Sequence, residues 1–235
     1  MPLCDKQLLD VRPDDVLCGG HFRKCNTYRG GGGYDKFPAI AKERLGLDVS
    51  QQFVVQLKGC PLKCPYCYVT TNGILGEAVP YTTEQLVAAY RASGQDMFHL
   101  MGGAPALYMK YWPDIIDALQ GAVFHSDLLL AEYKYTATDI RKICRPNCLY
   151  AVSIKAFTPD NWVRNTGTHW RIMPLIDYNL AKLIKYGDPK SFYFTFTNFD
   201  AEDLYRFKRT FISDFGSSWL SDSFTIDLVN YEAIS

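Results

Sequence analysis

The chain has 235 residues, enough for one large domain or two small ones, and its 48% hydrophobic share predicts a globular core rather than intrinsic disorder. Its 25 basic and 25 acidic residues cancel. This balance excludes a protein whose whole surface is built to coat nucleic acid or anionic lipid. The sequence contains no apolar run of about 18 residues, and no basic start followed by an apolar stretch. We therefore expect a cytoplasmic protein without a membrane segment.

Residues 1–50 differ from the rest of the chain and predict a largely irregular N-terminal extension. One short helix is expected near residues 37–45. The glycine tract Gly30–Gly33 resembles a phosphate-binding loop only superficially, because no strand precedes it and no Gly-Lys-Ser/Thr follows it. A turn is the interpretation that we favour for this tract.

Residues 51–235 alternate between β-rich apolar runs and helix-like stretches. The predicted strands are 52–57, 97–101, 127–135, 150–157, 192–198 and 224–229. The predicted helices are 82–92, 111–119, 138–143, 172–186 and 201–215. This alternation predicts an α/β fold with a parallel sheet, either curled toward a barrel or open and doubly wound. A complete eight-stranded barrel takes about 250 residues. We therefore predict a partial (β/α)6 TIM-like barrel over residues 51–235.

Several predicted strands carry polar side chains on one face, since successive residues of a strand alternate between faces. These side chains are Glu132, Lys134, Ser153, Lys155, Thr195, Thr197 and Asp227. A flat sheet covered by helices on both sides would be apolar on both faces. The pattern therefore favours a hydrated, ligand-filled interior. The alternative is that these strands are partly exposed edges.

Three of the eight cysteines lie within eight residues of one another. Cys60, Cys64 and Cys67 form a C-x3-C-x2-C array directly after the first predicted parallel strand, at the rim where α/β barrels place their active sites. In a reducing compartment, cysteines at such short spacing indicate a metal centre rather than disulfides. Three thiolates on a four-iron cluster would leave one iron open for a ligand. A zinc loop completed by a distant Cys or His is the alternative.

This array, with Tyr66 before its last cysteine, resembles the signature of the radical S-adenosylmethionine (radical SAM) superfamily. The resemblance implies a [4Fe–4S] cluster held by the three cysteines, with S-adenosylmethionine chelating the remaining iron. It also implies reductive cleavage of that cofactor to a 5′-deoxyadenosyl radical, which abstracts hydrogen from a substrate. An electron donor such as flavodoxin or ferredoxin would be the partner, and Tyr66 would pack near the adenine.

Two further segments carry parts of the resemblance. Gly102, Gly103, Ala104 and Pro105 are similar to a Gly-Gly-Glu-Pro stretch that borders the methionine end of the cofactor. Ala104 stands where the family commonly has Glu, so backbone carbonyls would have to replace that acidic contact.

The second segment is locally similar to the Asp-x-Lys…Thr-Gly pattern of glycyl-radical activating enzymes, such as pyruvate formate-lyase activase. Lys155 matches the lysine of that pattern, Ser153 replaces its Asp, and Asn165-Thr-Gly167 supplies the Thr-Gly. Ser153, Lys155 and Thr195 are therefore candidate cofactor contacts. Lys155 and Glu132 are the candidate catalytic residues. The alternative for Lys155 is an edge-strand side chain that reaches the surface.

Several possibilities stay open on the sequence alone. The substrate is a protein or peptide, as in glycyl-radical activation, or else a small molecule or nucleoside. A different class is a zinc-stabilised, non-catalytic binding module. Cys144 and Cys148 are expected at the opposite rim from Cys60, where they form a second metal site with Cys4, Cys18 or Cys25 or remain buried thiols. His99 faces the interior or is structural, and the structural interpretation is favoured.

Overall fold

The computed structural model describes residues 17–26, 37–67, 79–215 and 226–229, with side chains over 40–67 and 80–210. The glycine tract and Cys4 lie outside these residues, and so do the side chains of Cys18, Cys25 and Asp227. In the described part of the chain, no helix has the length and apolar character needed to cross a membrane.

The described residues form eight strands and seven α-helices, which alternate along most of the chain. The strands are β1 (Leu17–Asn26), β2 (Gln51–Leu57), β3 (Val79–Tyr81), β4 (Met97–Met101), β5 (Val123–Leu128), β6 (Cys148–Ile154), β7 (Phe192–Thr197) and β8 (Ile226–Val229). The helices are α1 (Phe37–Leu45), α2 (Thr83–Ser93), α3 (Trp112–Ala118), α4 (Ala137–Ile143), α5 (Pro159–Thr166), α6 (Met173–Tyr186) and α7 (Ala201–Phe215).

All eight strands belong to one sheet in the order β3-β1-β2-β4-β5-β6-β7-β8. The strands from β2 and β4 to β8 run parallel, with helices between them along the chain. The predicted α/β fold with a partial parallel barrel is confirmed. The extension contributes more than a helix, because β1 pairs antiparallel with both β2 and β3.

Four elements differ from the sequence prediction. The third parallel strand covers Val123–Leu128 rather than 127–135, and Leu130 has a φ of +62° in the loop that follows it. The apolar run continues past the strand because the loop itself is buried in the core. Helix α5 and strands β1 and β3 were not predicted.

Helix starts follow local sequence rules. Thr82 caps α2, and its hydroxyl accepts a bond from the N–H of Gln85 while the Gln85 side chain accepts one from the N–H of Thr82. Thr136 and Asp139 form the same reciprocal pair at the start of α4. These pairs satisfy helix donors that have no partner inside the helix.

The two faces of the sheet have different coverings. One face packs on the helices through buried aromatic residues such as Phe98, Phe124 and Tyr150. On the other face, which we call the inner face, Met97, Val123 and Leu149 at the starts of their strands pack with residues of α1. Helix α1 of the extension thus covers the inner face at the end of the sheet where the parallel strands begin.

Candidate functional site

The three clustered cysteines lie in the loop that follows β2, at the edge where the parallel strands end. Cys60 is buried, and Cys64 and Cys67 are half-buried. The N–H of Cys67 donates to the carbonyl of Cys64 at 3.0 Å, which closes a tight turn. The N–H of Leu62 approaches Sγ of Cys60 at 3.5 Å. We call residues 58–67 the cysteine loop.

The Gly-Gly segment after β4 holds the base of the cysteine loop. Ala104 donates its N–H to the carbonyl of Gly59 at 2.7 Å. Gly102 and Gly103 have φ angles of +68° and +56°, which favour glycine. A Cβ on Gly103 would collide with the carbonyl oxygen of Gly59 and lie 2.6 Å from that of Leu57. Only a residue without a side chain permits this approach.

The Thr-Gly segment after β6 holds the loop from its other side. Lys63 donates its N–H to the carbonyl of Thr166 at 2.8 Å. Gly167 ends α5 with a φ of +62°, and a Cβ there would lie 2.5 Å from the carbonyl oxygen of Lys63. The three segments that the sequence analysis singled out therefore meet at one place.

Lys155 extends from the end of β6 toward the cysteine loop. Its Nζ lies 5.6 Å from the ring centroid of Tyr66 and 3.3 Å from Oγ1 of Thr197. Burial raises the pKa of the Cys64 thiol, while the Lys155 charge and a hydrogen bond with Tyr66 act in the opposite direction. A cation in this position favours a thiolate or another anionic ligand.

Ser153 and Thr195 lie next to each other on the same inner face, and their hydroxyl oxygens are 3.2 Å apart. The predicted alternation of β6 and β7 is thus confirmed. Ala104 and Pro105 are both buried, with Pro105 at the start of a 3-10 helix that runs to Tyr111. Their contact with a cofactor stays a prediction.

Asp127 is an acidic residue near the end of β5 that sequence reasoning missed as a site residue. Burial raises the pKa of its carboxyl to about 7, although the Lys155 charge acts in the opposite direction. The signal was present in the sequence, since an aspartate at the end of a buried parallel strand points to an active-site edge. The misplaced third strand concealed it.

Two histidines lie below Asp127 on the inner face. Nδ1 of His99 is 2.5 Å from Oε1 of Gln52, and Nε2 of His125 is 2.9 Å from the hydroxyl of Tyr193. Burial lowers the pKa of His125 well below 6.5, and its neighbour His99 lowers it further. His125 is therefore neutral at physiological pH.

Glu132 does not lie on a strand face, so the prediction that it shares one with Lys134 is wrong. One oxygen of its carboxylate accepts a bond from the N–H of Leu129 at 3.3 Å, and the other accepts from the hydroxyl of Tyr135 at 2.7 Å. These bonds shape the loop after β5. Lys134 is exposed beside the ring of Tyr178. The catalytic assignment of Glu132 loses the geometric argument on which it rested.

Cys144 and Cys148 lie near the start of β6, at the end of the sheet opposite the cysteine loop. Burial raises the pKa of Cys148 to about 12 and also raises that of Cys144. Both are free thiols. A metal site shared with Cys18 or Cys25 involves side chains outside the described residues.

The three loop thiols do not all lie as close together as the ligands of a single zinc ion do. Sulfur atoms around one zinc lie about 3.8 Å apart at a Zn–S distance of about 2.3 Å. Among the described residues, one set of three or more His, Cys, Asp or Glu donors lies within 4.8 Å of one another, and it does not contain these thiols. In an iron–sulfur cubane each cysteine binds a different iron corner, so the thiols need to be farther apart.

The solved structures QueE, TYW1 and SuiB, which share this architecture, are radical SAM enzymes. QueE from Escherichia coli matches with a TM-score of 0.54 at 12% identity, over 95% of this chain and 98% of that one. TYW1 with a lysine-pyruvate adduct bound matches at 0.55 and 14% identity, over 100% of this chain and 82% of that one. This chain has the radical SAM fold.

SuiB from Streptococcus suis, bound to S-adenosylmethionine, shares the radical SAM fold with a TM-score of 0.51 at 11% identity. The match covers 86% of this chain and 45% of that one. No protein-family model and no curated protein matches the sequence. At such low identities the likeness concerns the fold. The local resemblance to glycyl-radical activating enzymes stays a prediction.

Proposed function

We propose that this protein is a radical SAM enzyme whose [4Fe–4S] cluster is held by Cys60, Cys64 and Cys67. One observation carries the proposal: on a radical SAM fold, the three-thiol loop lies at the ends of the parallel strands, held there by the Gly-Gly and Thr-Gly segments. When bound, the cluster and S-adenosylmethionine supply reductive cleavage of the cofactor to a radical that abstracts hydrogen. Flavodoxin or ferredoxin is the class of electron donor that we propose.

The surrounding residues bind and orient these groups. Gly102 and Gly103 adopt left-handed backbone angles, and Gly103 lets the backbone of residues 57–59 approach closely, which fixes the cysteine loop next to the end of β4. Lys155 holds a positive charge near Tyr66 and Thr197, where it would bind a carboxylate of the cofactor or the substrate. The buried ring of Tyr66 keeps water from one side of the loop.

Anaerobic reconstitution with iron and sulfide tests this function. Wild type should bind four irons per chain, absorb near about 400 nm as thiolate-bound cubanes do, and form 5′-deoxyadenosine when reduced with S-adenosylmethionine. Cys60→Ala, Cys64→Ala and Cys67→Ala should each lose the iron and the cleavage. Cys144→Ala, a free thiol at the other end of the sheet, is the matched control and should retain both. Iron content that is equal in all five proteins would refute the proposal.

Two substrate classes have support. A peptide is favoured by the likeness to SuiB bound to its precursor peptide SuiA, with a TM-score of 0.50 over 74% of this chain and 37% of that one. A small polar molecule is favoured by Asp127 and Lys155, whose charges lie on the inner face of the sheet. Dialysis of a cell extract separates the two. We would measure which fraction, retained or dialysable, stimulates 5′-deoxyadenosine formation.

A further inference from the structure

A second group of metal-binding side chains lies on the inner face, apart from the cysteine loop. His99 and His125 are paired in register on the adjacent parallel strands β4 and β5, and Asp127 follows two residues later on the same face. The two imidazole rings are 4.2 Å apart between centroids and cross at 76°. One nitrogen from each ring and one carboxylate oxygen of Asp127 all lie within 4.8 Å of one another.

The two rings are oriented from behind by neighbouring side chains. Gln52 on β2 holds one nitrogen of His99, and Tyr193 on β7 holds one nitrogen of His125. Histidines that bind metals almost always make such a bond through their second nitrogen, because it fixes the tautomer and the direction of the ring. The bonds to Gln52 and Tyr193 therefore fix the orientation of both rings on the inner face.

The composition of the group identifies the class of ion. Two imidazoles and one carboxylate suit Zn²⁺, Fe²⁺ or Co²⁺, whereas Mg²⁺ and Ca²⁺ prefer sites made of oxygen atoms. His99 and His125 are 1% and 3% exposed, so the nitrogens are shielded from bulk water. Asp127 is half-buried and lies near the end of β5.

We propose that His99, His125 and Asp127 form a binding site for one divalent transition-metal ion on the inner face of the sheet. Three protein ligands leave at least one coordination position for water or an anionic group of a small molecule. At metal–ligand distances of about 2.1 Å, neighbouring donors of a tetrahedral site lie about 3.4 Å apart. Binding therefore requires the three donors to draw together from a spacing of at most 4.8 Å. The site does not depend on the cluster of the proposed function.

Equilibrium dialysis against Zn²⁺, with the metal content then measured by mass spectrometry, tests this site. The cluster is first reconstituted, so that the loop thiols are occupied. Wild type should retain one zinc per chain, and His125→Gln and Asp127→Asn should lose it. Tyr193→Phe should weaken binding by about 10- to 100-fold, because it removes the orienting bond. His169→Gln, at an exposed histidine, is the matched control and should bind zinc like wild type.

Zinc absent from wild type, or equally bound by the two ligand variants, would overturn the proposal. Circular dichroism verifies that the variants are folded. If the variants are not folded, the X-ray absorption spectrum of zinc-loaded wild type is the deciding measurement, because it identifies the atoms bound to zinc. Nitrogen and oxygen neighbours support the site, and sulfur neighbours overturn it. Failure of the cluster function would appear separately, as missing iron, while zinc at the histidines would still be measured.

Discussion

Gly103→Ala tests how the Gly-Gly segment positions the cysteine loop. Gly103 has a φ of +56° and lies directly against the backbone of residues 57–59. An added methyl group would lie 2.6 Å from the carbonyl oxygen of Leu57 and collide with that of Gly59. Because both neighbours are backbone atoms, neither can move without moving the loop itself.

The expected cost has two parts. A left-handed backbone costs a non-glycine residue about 1–2 kcal/mol, and the overpacking adds about 1–3 kcal/mol. Gly94→Ala is the matched control, because Gly94 has a φ of +69° and nothing within 4 Å of its added Cβ. The free energy of unfolding of the control is therefore lowered only by the backbone cost. The steric difference of about 2 kcal/mol corresponds to a melting temperature about 4–8 °C lower than that of the control.

Thermal unfolding of both variants measures this difference, and iron per chain after reconstitution measures the effect on the loop. We expect Gly103→Ala to melt below Gly94→Ala and to bind less iron. Equal melting temperatures and equal iron content would refute the argument that the close backbone approach at Gly103 positions the loop.

Three further predictions concern other parts of the molecule. Glu132→Gln should lower the free energy of unfolding by about 1–2 kcal/mol, because both carboxylate oxygens accept hydrogen bonds and the amide has one acceptor oxygen for the two donors, Leu129 N–H and the Tyr135 hydroxyl. Cofactor cleavage should persist in this variant. Lys155→Met should instead leave the free energy of unfolding unchanged and reduce cofactor cleavage. Cys148 should resist iodoacetamide at pH 8 in the folded protein, since burial raises its pKa to about 12 and only a very small fraction of the thiol is then the reactive thiolate at pH 8. Peptide mass spectrometry would contradict this if Cys148 is alkylated as fast as in urea. Deletion of residues 1–50 should abolish cooperative unfolding, because it exposes the edge of β2 and the apolar residues at the strand starts that α1 covers. A truncated monomer that unfolds cooperatively would disprove this prediction.

Local spacing determined the parts of the site that could be predicted from the sequence. Cys60, Cys64 and Cys67 are close in the chain, so a single loop brings them together wherever it lies. The alternation of β6 and β7 predicted that Ser153 and Thr195 lie on the polar faces of their strands, because side-chain direction in a strand depends only on residue parity. The register between the two strands then brought them together. The parallel βα repeats predicted that the cysteine loop and the ends of β6 and β7 lie at the same edge of the sheet.

Only the tertiary structure decided which distant residues meet. His99 and His125 become neighbours through the register between β4 and β5, and the spacing of residues along the chain does not specify that register. The third strand was misplaced because the buried loop after Leu128 is as apolar as a strand. Hydrophobicity indicates burial and does not indicate backbone conformation. Strand β1 is stabilised by pairing with β2 and β3, so its own sequence carried no sufficient signal.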